Sequence, residues 1–444
     1  MTTNGSPRLE LNDIQSGVLR PRPSPYAATY LLLQIDEARA GRALMGRLAD
    51  VVANAADGHS PAGDTWVSAA LTYSGLVVLG VPASSLESFA WEFRQGMAAR
   101  ATALGDVGES SPEHWEKPLG TADVHVVLTG VSPTRRALDE AISRARGTYA
   151  ELGAIREIWR QDCHALSTGR EPFGFKDGIG HPAIEGSNIP GTNPHERPLK
   201  PGELVLGYPD EMDPAPPLPK PDVLGRNGTY VAFRKLHQRV AAFRRYLRDI
   251  AKGPEDEERL AAKIMGRWRS GAPLARCPLH DDPALGADPS RNNDFLYADD
   301  PTGYSTPPGC HIRRSNPRDS KIAGVSRLHR MIRRGTAYGP ELPEGVLEDD
   351  GADRGLMFAF LGAHLGRQFE FVQSEWVNGG DFLGLGHVKD AIAGLGEAER
   401  TLSIPGRPIP RKLRGIPSFV VTRGGEYGFM PGIRALRYLS ELQL

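Results

Sequence analysis

Tyr26–Ile35 reads YAATYLLLQI, a run dominated by aliphatic and aromatic residues with no glycine, proline or charge, and it predicts a buried strand. Working outward, Asp36 offers an N-cap, and Leu44, Leu48, Val51 and Ala55 recur at helical spacing up to Gly58. Thr65–Val81 reads as strand, turn and second strand, because Val67, Ala69 and Leu71 alternate with other residues before Tyr73-Ser74-Gly75. A helix is expected over roughly Ser84–Leu104 and a strand over Val124–Leu128 (VHVVL). Ser132-Pro133 is read as a cap followed by a first-turn proline, with Leu138, Ile142, Ala145 and Tyr149 on one apolar face behind it. Ala154–Leu166 supplies a further strand.

That order, β-α-β-β-α-β-α-β, is close to a ferredoxin-like unit, an antiparallel sheet covered by helices on one side. A loop-rich connection follows over residues 167–228 and includes PAPPLPKP at Pro214–Pro221, where proline forbids regular helix or central strand. A second unit starts at Thr229–Arg234 (TYVAFR). Its helix carries Val240, Phe243, Leu247 and Ile250 and is stopped by Gly253-Pro254. Further helices are expected over Glu255–Trp268, Gln368–Val377 and Ile433–Leu442, a basic strand near Leu328–Tyr338, and a very apolar strand at Leu356–Leu361 (LMFAFL). The chain therefore divides into an α+β domain over 1–166, the connection over 167–228 and a second α+β domain over 229–444.

The 444 residues carry a formal charge of −1, so no global field exists to hold a nucleic acid or an anionic membrane. Charged residues at 24% and hydrophobic residues at 40% are ordinary globular composition. Gly (51) and Pro (37) make up a fifth of the chain without a collagen period, which means many turns and long ordered loops. Three widely spaced cysteines, Cys163, Cys277 and Cys310, make neither a disulfide scaffold nor a four-thiolate zinc site. Met1–Leu11 is polar and lacks a secretory apolar region. The longest uncharged stretch, Thr65–Leu86, is broken by Ser68, Thr72, Gly75 and Pro82. A cytoplasmic protein without a membrane span is expected.

Four segments carry candidate chemistry. Gly174-Phe175-Lys176-Asp177-Gly178-Ile179-Gly180-His181-Pro182 places a carboxylate among glycines that permit close backbone approach to a ligand, although an Asp-Gly turn is the simpler reading of it alone. His311-Ile312-Arg313-Arg314-Ser315-Asn316-Pro317-Arg318 sets a histidine among guanidinium groups suited to carboxylates or phosphates. Arg333-Arg334-Gly335-Thr336-Ala337-Tyr338-Gly339 is the third, and Trp376-Val377-Asn378 with Asp390-Ala391-Ile392-Ala393-Gly394 the fourth. Each is weak alone. Together, and in this order with DIQSGVL, NGTYVAFRKL, RGLMFAF and FEFVQSEWVNG, they resemble the dye-decolorizing peroxidases, haem enzymes of two ferredoxin-like halves, with Gly174–Gly178 matching their GxxDG signature. The likeness runs from about Asp13 to Gly432 and is nearest the longer-loop branch; one departure is Cys310 before the histidine, where alanine is more usual.

The resemblance implies haem b (iron protoporphyrin IX), one per chain, seated in the C-terminal half. It implies His311 as the proximal iron ligand and Asp390 as the acidic partner of its other imidazole nitrogen. Asp177 and Arg333 match the distal catalytic pair, and Leu356 and Phe358, two apart on one strand, resemble the apolar distal wall. Lys176, Gly178 and Ile179 are expected beside the cofactor, and Arg313 with the Asn316-Pro317-Arg318 turn against its propionates. Hydrogen peroxide is then the oxidant. Asp177 moves a proton between its oxygens while Arg333 stabilises the charge of the leaving oxygen. Aromatic dyes or phenols supply single electrons, by way of Tyr338 or Trp376 where the donor is too bulky to enter. A homo-oligomer is compatible with the reading. The alternatives are a haem carrier or sensor without turnover and a deferrochelatase-like protein that releases iron from haem.

Overall fold

The computed structural model describes residues 8–57, 64–321, 325–379, 381–386, 388–396 and 400–443. β1 (Ala27–Ile35) is covered on both faces: Leu31, Leu33 and Ile35 pack with Leu44, Leu48, Leu138 and Ile142, whereas Tyr30 and Leu32 pack on the opposite side. It is flanked by β3 (Val126–Ser132) and β4 (Ile155–His164), and β2 (Trp66–Leu71) pairs with β3. With the helix Ala38–Val51 after β1 and the helix Arg135–Gly147 after β3, the strand order β4-β1-β3-β2 is the ferredoxin-like arrangement.

The same order recurs in the second half. β5 (Thr229–Gln238) lies between β11 (Val420–Met430) and β8 (Gly355–Gly362), and β8 also pairs with β6 (Ile332–Arg333) and β7 (Thr336–Tyr338). The two halves meet at β2 and β11 through the pair Leu71 and Phe429, giving one nine-stranded sheet. β9 (Arg400–Ile404) and β10 (Arg411–Ile416) form a separate hairpin. Among the described residues, no helix is long and apolar enough to cross a membrane.

Several local expectations are corrected. The second strand of Thr65–Val81 is a helix, Tyr73–Val78, whose N-cap Thr72 accepts the Gly75 N–H; its valines pack as helix because the hydroxyl starts a turn there. Ser84–Leu104 is not one helix but short turns, Ala83–Glu87, Trp91–Gln95 and Ala101–Leu104, the second of them ended by Gly96 at φ +78°. Thr134, not Ser132, caps the helix Arg135–Gly147, and Asp36 pairs with Arg156 instead of capping. The helix after β1 ends at Val51; the expected end at Gly58 lies outside the described residues. Pro254 begins the helix Pro254–Met265, and the helix before it already ends at Ile250. The segment expected as helix Gln368–Val377 is two π-helical turns, Leu365–Glu370 and Val372–Val377.

Alternation along the C-terminal strands positions the site. Tyr230 and Ala232 pack among the N-terminal helices, and further along the same face Arg234, Leu236 and Gln238 border a large cavity. Leu356 and Phe358 of β8 and Val420 and Thr422 of β11 border it too.

Candidate active site

The cavity has a volume of about 680 Å³, within the range of about 300–1,000 Å³ usual for small-molecule and cofactor sites. Leu356, Phe358, Phe369, Val372, Val377 and Ile392 supply much of its apolar wall, and residues 21–26, 165–167 and 169–171 form part of its border.

His311 opens the short helix His311–Ser315 and faces this cavity. The segment packs close to the end of the preceding long helix because Gly266, at φ +99°, has no side chain: a Cβ there would stand 2.9 Å from Cys310 Sγ. His311 Nδ1 lies 3.0 Å from Asp390 Oδ2, and Asp390 is fully buried. The other oxygen of Asp390 accepts the N–H groups of Ile392 (2.8 Å) and Ala393 (2.9 Å). Burial opposes the ionised carboxylate, but His311 and these N–H groups hold Asp390 below the usual carboxylate range. Burial likewise opposes the imidazolium, and the Asp390 carboxylate outweighs it, raising His311. Both partners thus shift toward charge. Nδ1 is taken, and Nε2 has no protein partner among the described residues.

Asp177 reaches the cavity from a loop folded around a second carboxylate. Glu171 Oε1 accepts the Phe175 N–H (3.0 Å), and Oε2 accepts those of Phe173 (3.1 Å) and the Gln238 side-chain amide (2.9 Å). Gly174 (φ +94°) and Gly178 (φ +81°) turn the chain in the left-handed region that other residues avoid. Asp177 is exposed into the cavity and makes no hydrogen bond or ion pair with the described residues. Arg333 borders the same space, and its side chain is likewise unbonded. Their loops abut: a Cβ on Gly335 would stand 3.7 Å from Asp177 Oδ2, and one on Gly180 3.6 Å from Arg333 Nη2. Burial lowers the Arg333 pKa from its ordinary value, with Asp177 opposing and Arg330 adding to the shift.

No family model matches the chain. It is 31% identical over 451 residues to a dye-decolorizing peroxidase of Exidia glandulosa, covering 96% of this chain and 86% of that one. It is 30% identical over 406 residues to one of Mycetinis scorodonius, covering 84% and 76%. The chain belongs to the dye-decolorizing peroxidase family. Its fold superposes on a fungal DyP-type peroxidase from Auricularia auricula-judae with a TM-score of 0.85 at 28% identity, covering 98% of this chain and 100% of that one. A dye-decolorizing peroxidase solved in complex with 2,6-dimethoxyphenol also gives 0.85 at 28% identity, covering 97% and 100%.

As a member of this family the chain is an enzyme that acts on peroxide, and haem is the cofactor of the family. The residues present fit such a group: a cavity of suitable volume with a broad apolar wall, and one imidazole whose free nitrogen is Nε2 because a buried carboxylate occupies Nδ1.

Of the other residues expected in the dye-decolorizing peroxidase site, some border the cavity and some do not. Arg313 does not border the cavity: only 2% exposed, it donates to the carbonyls of Asp300 (3.0 Å) and Thr306 (2.7 Å) and lies 4.4 Å from the Tyr297 ring centroid. Arg318 is likewise turned away, donating to Asn293 Oδ1 (2.5 Å) and the Phe295 carbonyl (2.7 Å) with its guanidinium over the Phe295 ring. Both guanidinium groups fasten the Ala272–Pro308 loop, which offers carbonyls that short-range sequence does not reveal. Pro317 is buried and Ile179 packs toward Gly271, and neither borders the cavity. Asn316, Gly178 and Lys176 do, although the Lys176 ammonium donates to the Gly286 carbonyl at 2.8 Å. Tyr338 and Trp376 are buried outside the cavity lining. Tyr338 donates to Asp353 (3.1 Å), and Trp376 stands edge-on to His329, which does border the cavity.

Sequence reasoning missed Glu171, Arg22 and His329 and gave His181, at the end of the first motif, no role; all four are on the cavity border. His181 stays neutral, because burial and the charges of Arg334 and Arg333 push its pKa well below the usual value. His329 Nδ1 is bonded to the Arg367 carbonyl at 2.6 Å. Glu171 alone had a readable signal, an acid three residues before a turn glycine.

Proposed function

We propose that this chain is a haem b peroxidase, one haem per chain, which reduces hydrogen peroxide and oxidises phenols and aromatic dyes in one-electron steps. The observation that carries the reading is one cavity bordered both by a histidine bonded to a buried aspartate and by an aspartate and an arginine that are bonded to nothing else. Bound haem supplies an iron centre that takes up the oxidising equivalents of peroxide and passes them to the donor.

His311 would hold the iron through Nε2. Its Nδ1–H, donated to Asp390, gives the imidazole anionic character and fixes its orientation. The Asp177 carboxylate accepts a proton from the peroxide oxygen that stays and returns it to the one that leaves. Arg333, which keeps its charge at any working pH, stabilises the negative charge developing on the departing oxygen. Leu356 and Phe358 keep bulky donors out of the space beside Asp177, and the relative solved with 2,6-dimethoxyphenol supports phenols as donors. Three free cysteines support a reducing, cytoplasmic location.

A haem carrier or iron-releasing protein is the alternative, but neither role calls for an unbonded acid and an unbonded arginine in one cavity. The deciding experiment is the absorption spectrum of the purified protein before and after one equivalent of peroxide and after a phenol is added. A haem spectrum that changes with peroxide and returns with the phenol, its porphyrin intact, is the expected outcome. Porphyrin recovered without iron would establish the alternative.

A further inference from the structure

A second, smaller cavity of about 60 Å³ lies on the sheet face that carries Val231 and Phe233, away from the face that carries Leu236 and Gln238. Arg22 and Arg334 border both cavities and so stand between them. The polar lining of the small cavity is two guanidinium groups, an indole N–H and the hydroxyls of Ser68, Tyr30, Thr129 and Thr336, with no carboxylate among the described residues. Arg334 donates only to main-chain carbonyls, those of Arg333 (3.3 Å) and Leu19 (3.1 Å), while its Nε is buried with no partner. Arg22 lies 3.8 Å from the centroid of the Tyr26 ring, and neither guanidinium has a carboxylate within ion-pair distance among the described residues. Ser68 is only 3% exposed and its hydroxyl is unpartnered. Trp66 is 4% exposed, and its indole N–H makes no hydrogen bond to the described residues.

These groups face a common space. A point beside Gly17, where a Cβ would stand, lies 2.8 Å from Ser68 Oγ and 3.3 Å from Trp66 Nε1. Gly17 thus closes the cavity edge beside these two donors, and a methyl there would press on the Ser68 hydroxyl. Burial and the like charge of Arg22 push Arg334 down to about 9, the response of a guanidinium that lacks a counter-charge. A buried charge without a partner is costly, and a buried hydroxyl without one costs less but still counts.

We propose that this small cavity binds a halide ion, held against the Ser68 hydroxyl and the Trp66 indole N–H in the positive field of Arg22 and Arg334. The size agrees: a water needs about 10–15 Å³ by the same measure, so 60 Å³ admits a monatomic ion with a little solvent. The chemistry agrees as well. Donors without a carboxylate exclude a cation, and walls built mostly of Val127, Val131, Val231, Phe233 and Leu361 cannot satisfy the many oxygens of phosphate or sulfate. The proposal does not rest on the peroxidase reading, although Arg22 and Arg334 border the large cavity as well.

The test uses the intact protein and does not depend on turnover. Crystals grown without halide and soaked in bromide should show anomalous bromine density in contact with Ser68 Oγ and Trp66 Nε1. In solution, replacing methanesulfonate by bromide at constant ionic strength should raise the Tm of the protein in a saturable way. Gly17→Ala, whose methyl would press on the Ser68 hydroxyl, should abolish that rise, and Ser68→Ala and Arg334→Leu should weaken it. Should Gly17→Ala or Arg334→Leu not fold, Ser68→Ala carries the comparison. Ordered water alone in the soaked crystals, a haem carboxylate seated on Arg334, or the same bromide response in wild type and Ser68→Ala would each overturn the proposal.

Discussion

Asp390 and Asp177 are the same residue type in opposite surroundings. Asp390 is fully buried, accepts two backbone N–H groups and bonds His311, so it is held ionised and cannot act as a mobile base. Asp177 is exposed into the cavity and has no hydrogen-bond or ion-pair partner among the described residues. His311→Ala should therefore purify with little haem, read as the ratio of haem to protein absorbance; full occupancy with an unchanged spectrum would remove His311 as the ligand. Asp177→Asn should retain haem but react with peroxide about 100- to 10,000-fold more slowly in stopped flow, the usual cost of losing a positioned acid–base group. Arg333→Leu should slow the same step through lost charge stabilisation. A neutral Asp177→Asn beside a crippled Arg333→Leu would make the arginine the principal group.

At the scale of elements, the loop from Glu171 to Gly178 is shaped by one side chain. The Glu171 carboxylate gathers two main-chain N–H groups and the Gln238 amide, which ties the loop to β5 and sets where Asp177 emerges. Glu171→Gln puts an NH₂ group among donors and should loosen that turn. The expected outcome is a fall of about 100-fold in the rate with peroxide, the scale of a misplacement of about 1 Å, with haem content preserved. A rate equal to wild type would show that the loop is held by its glycines and main chain. The helix faces and apolar strands of this chain were legible because their periodicity is local. β11 was not: VVTRGGEYGFM has three glycines and two charged residues, a weak strand signal, yet its neighbours β2 and β5 supply the ladder. The helix Tyr73–Val78 was misread for the converse reason, since β-branched residues fit a strand until a cap such as Thr72 is seen to engage.

Over the whole molecule, joining two ferredoxin-like halves into one sheet encloses polar groups at and near the seam. Glu426 on β11 is buried and accepts the Gly120 N–H, and burial pushes its pKa from 4.5 up to about 8. Between those values the folded state binds a proton that the unfolded chain has released, so stability falls as pH rises across the window. The contribution is fully present below about pH 4.5 and lost above about pH 8. Its slope approaches about 1.4 kcal/mol per pH unit. Glu426→Gln should flatten that decline, measured as the difference in urea midpoint between acid and alkaline buffer; an unchanged slope would place the titration elsewhere. Glu203, raised to about 7 by burial against the opposing pull of Arg367, adds a decline of the same sign.

The sequence by itself determined the α+β class, the two ferredoxin-like halves and the motifs by which the family is recognised. These depend on periodicity, turn residues and motif spacing, all of which are carried within short stretches of chain. Only the tertiary structure decided which polar side chains meet. His311 and Asp390 lie 79 residues apart and become one unit only because Asp390 is turned inward by the N–H groups of Ile392 and Ala393. Arg313 and Arg318, next to His311 in sequence, are drawn away by the carbonyls of a loop that no periodicity describes, while Arg22, far away in sequence, comes to the cavity. A guanidinium group goes where buried acceptors need donors, and the location of those acceptors is a property of the folded chain.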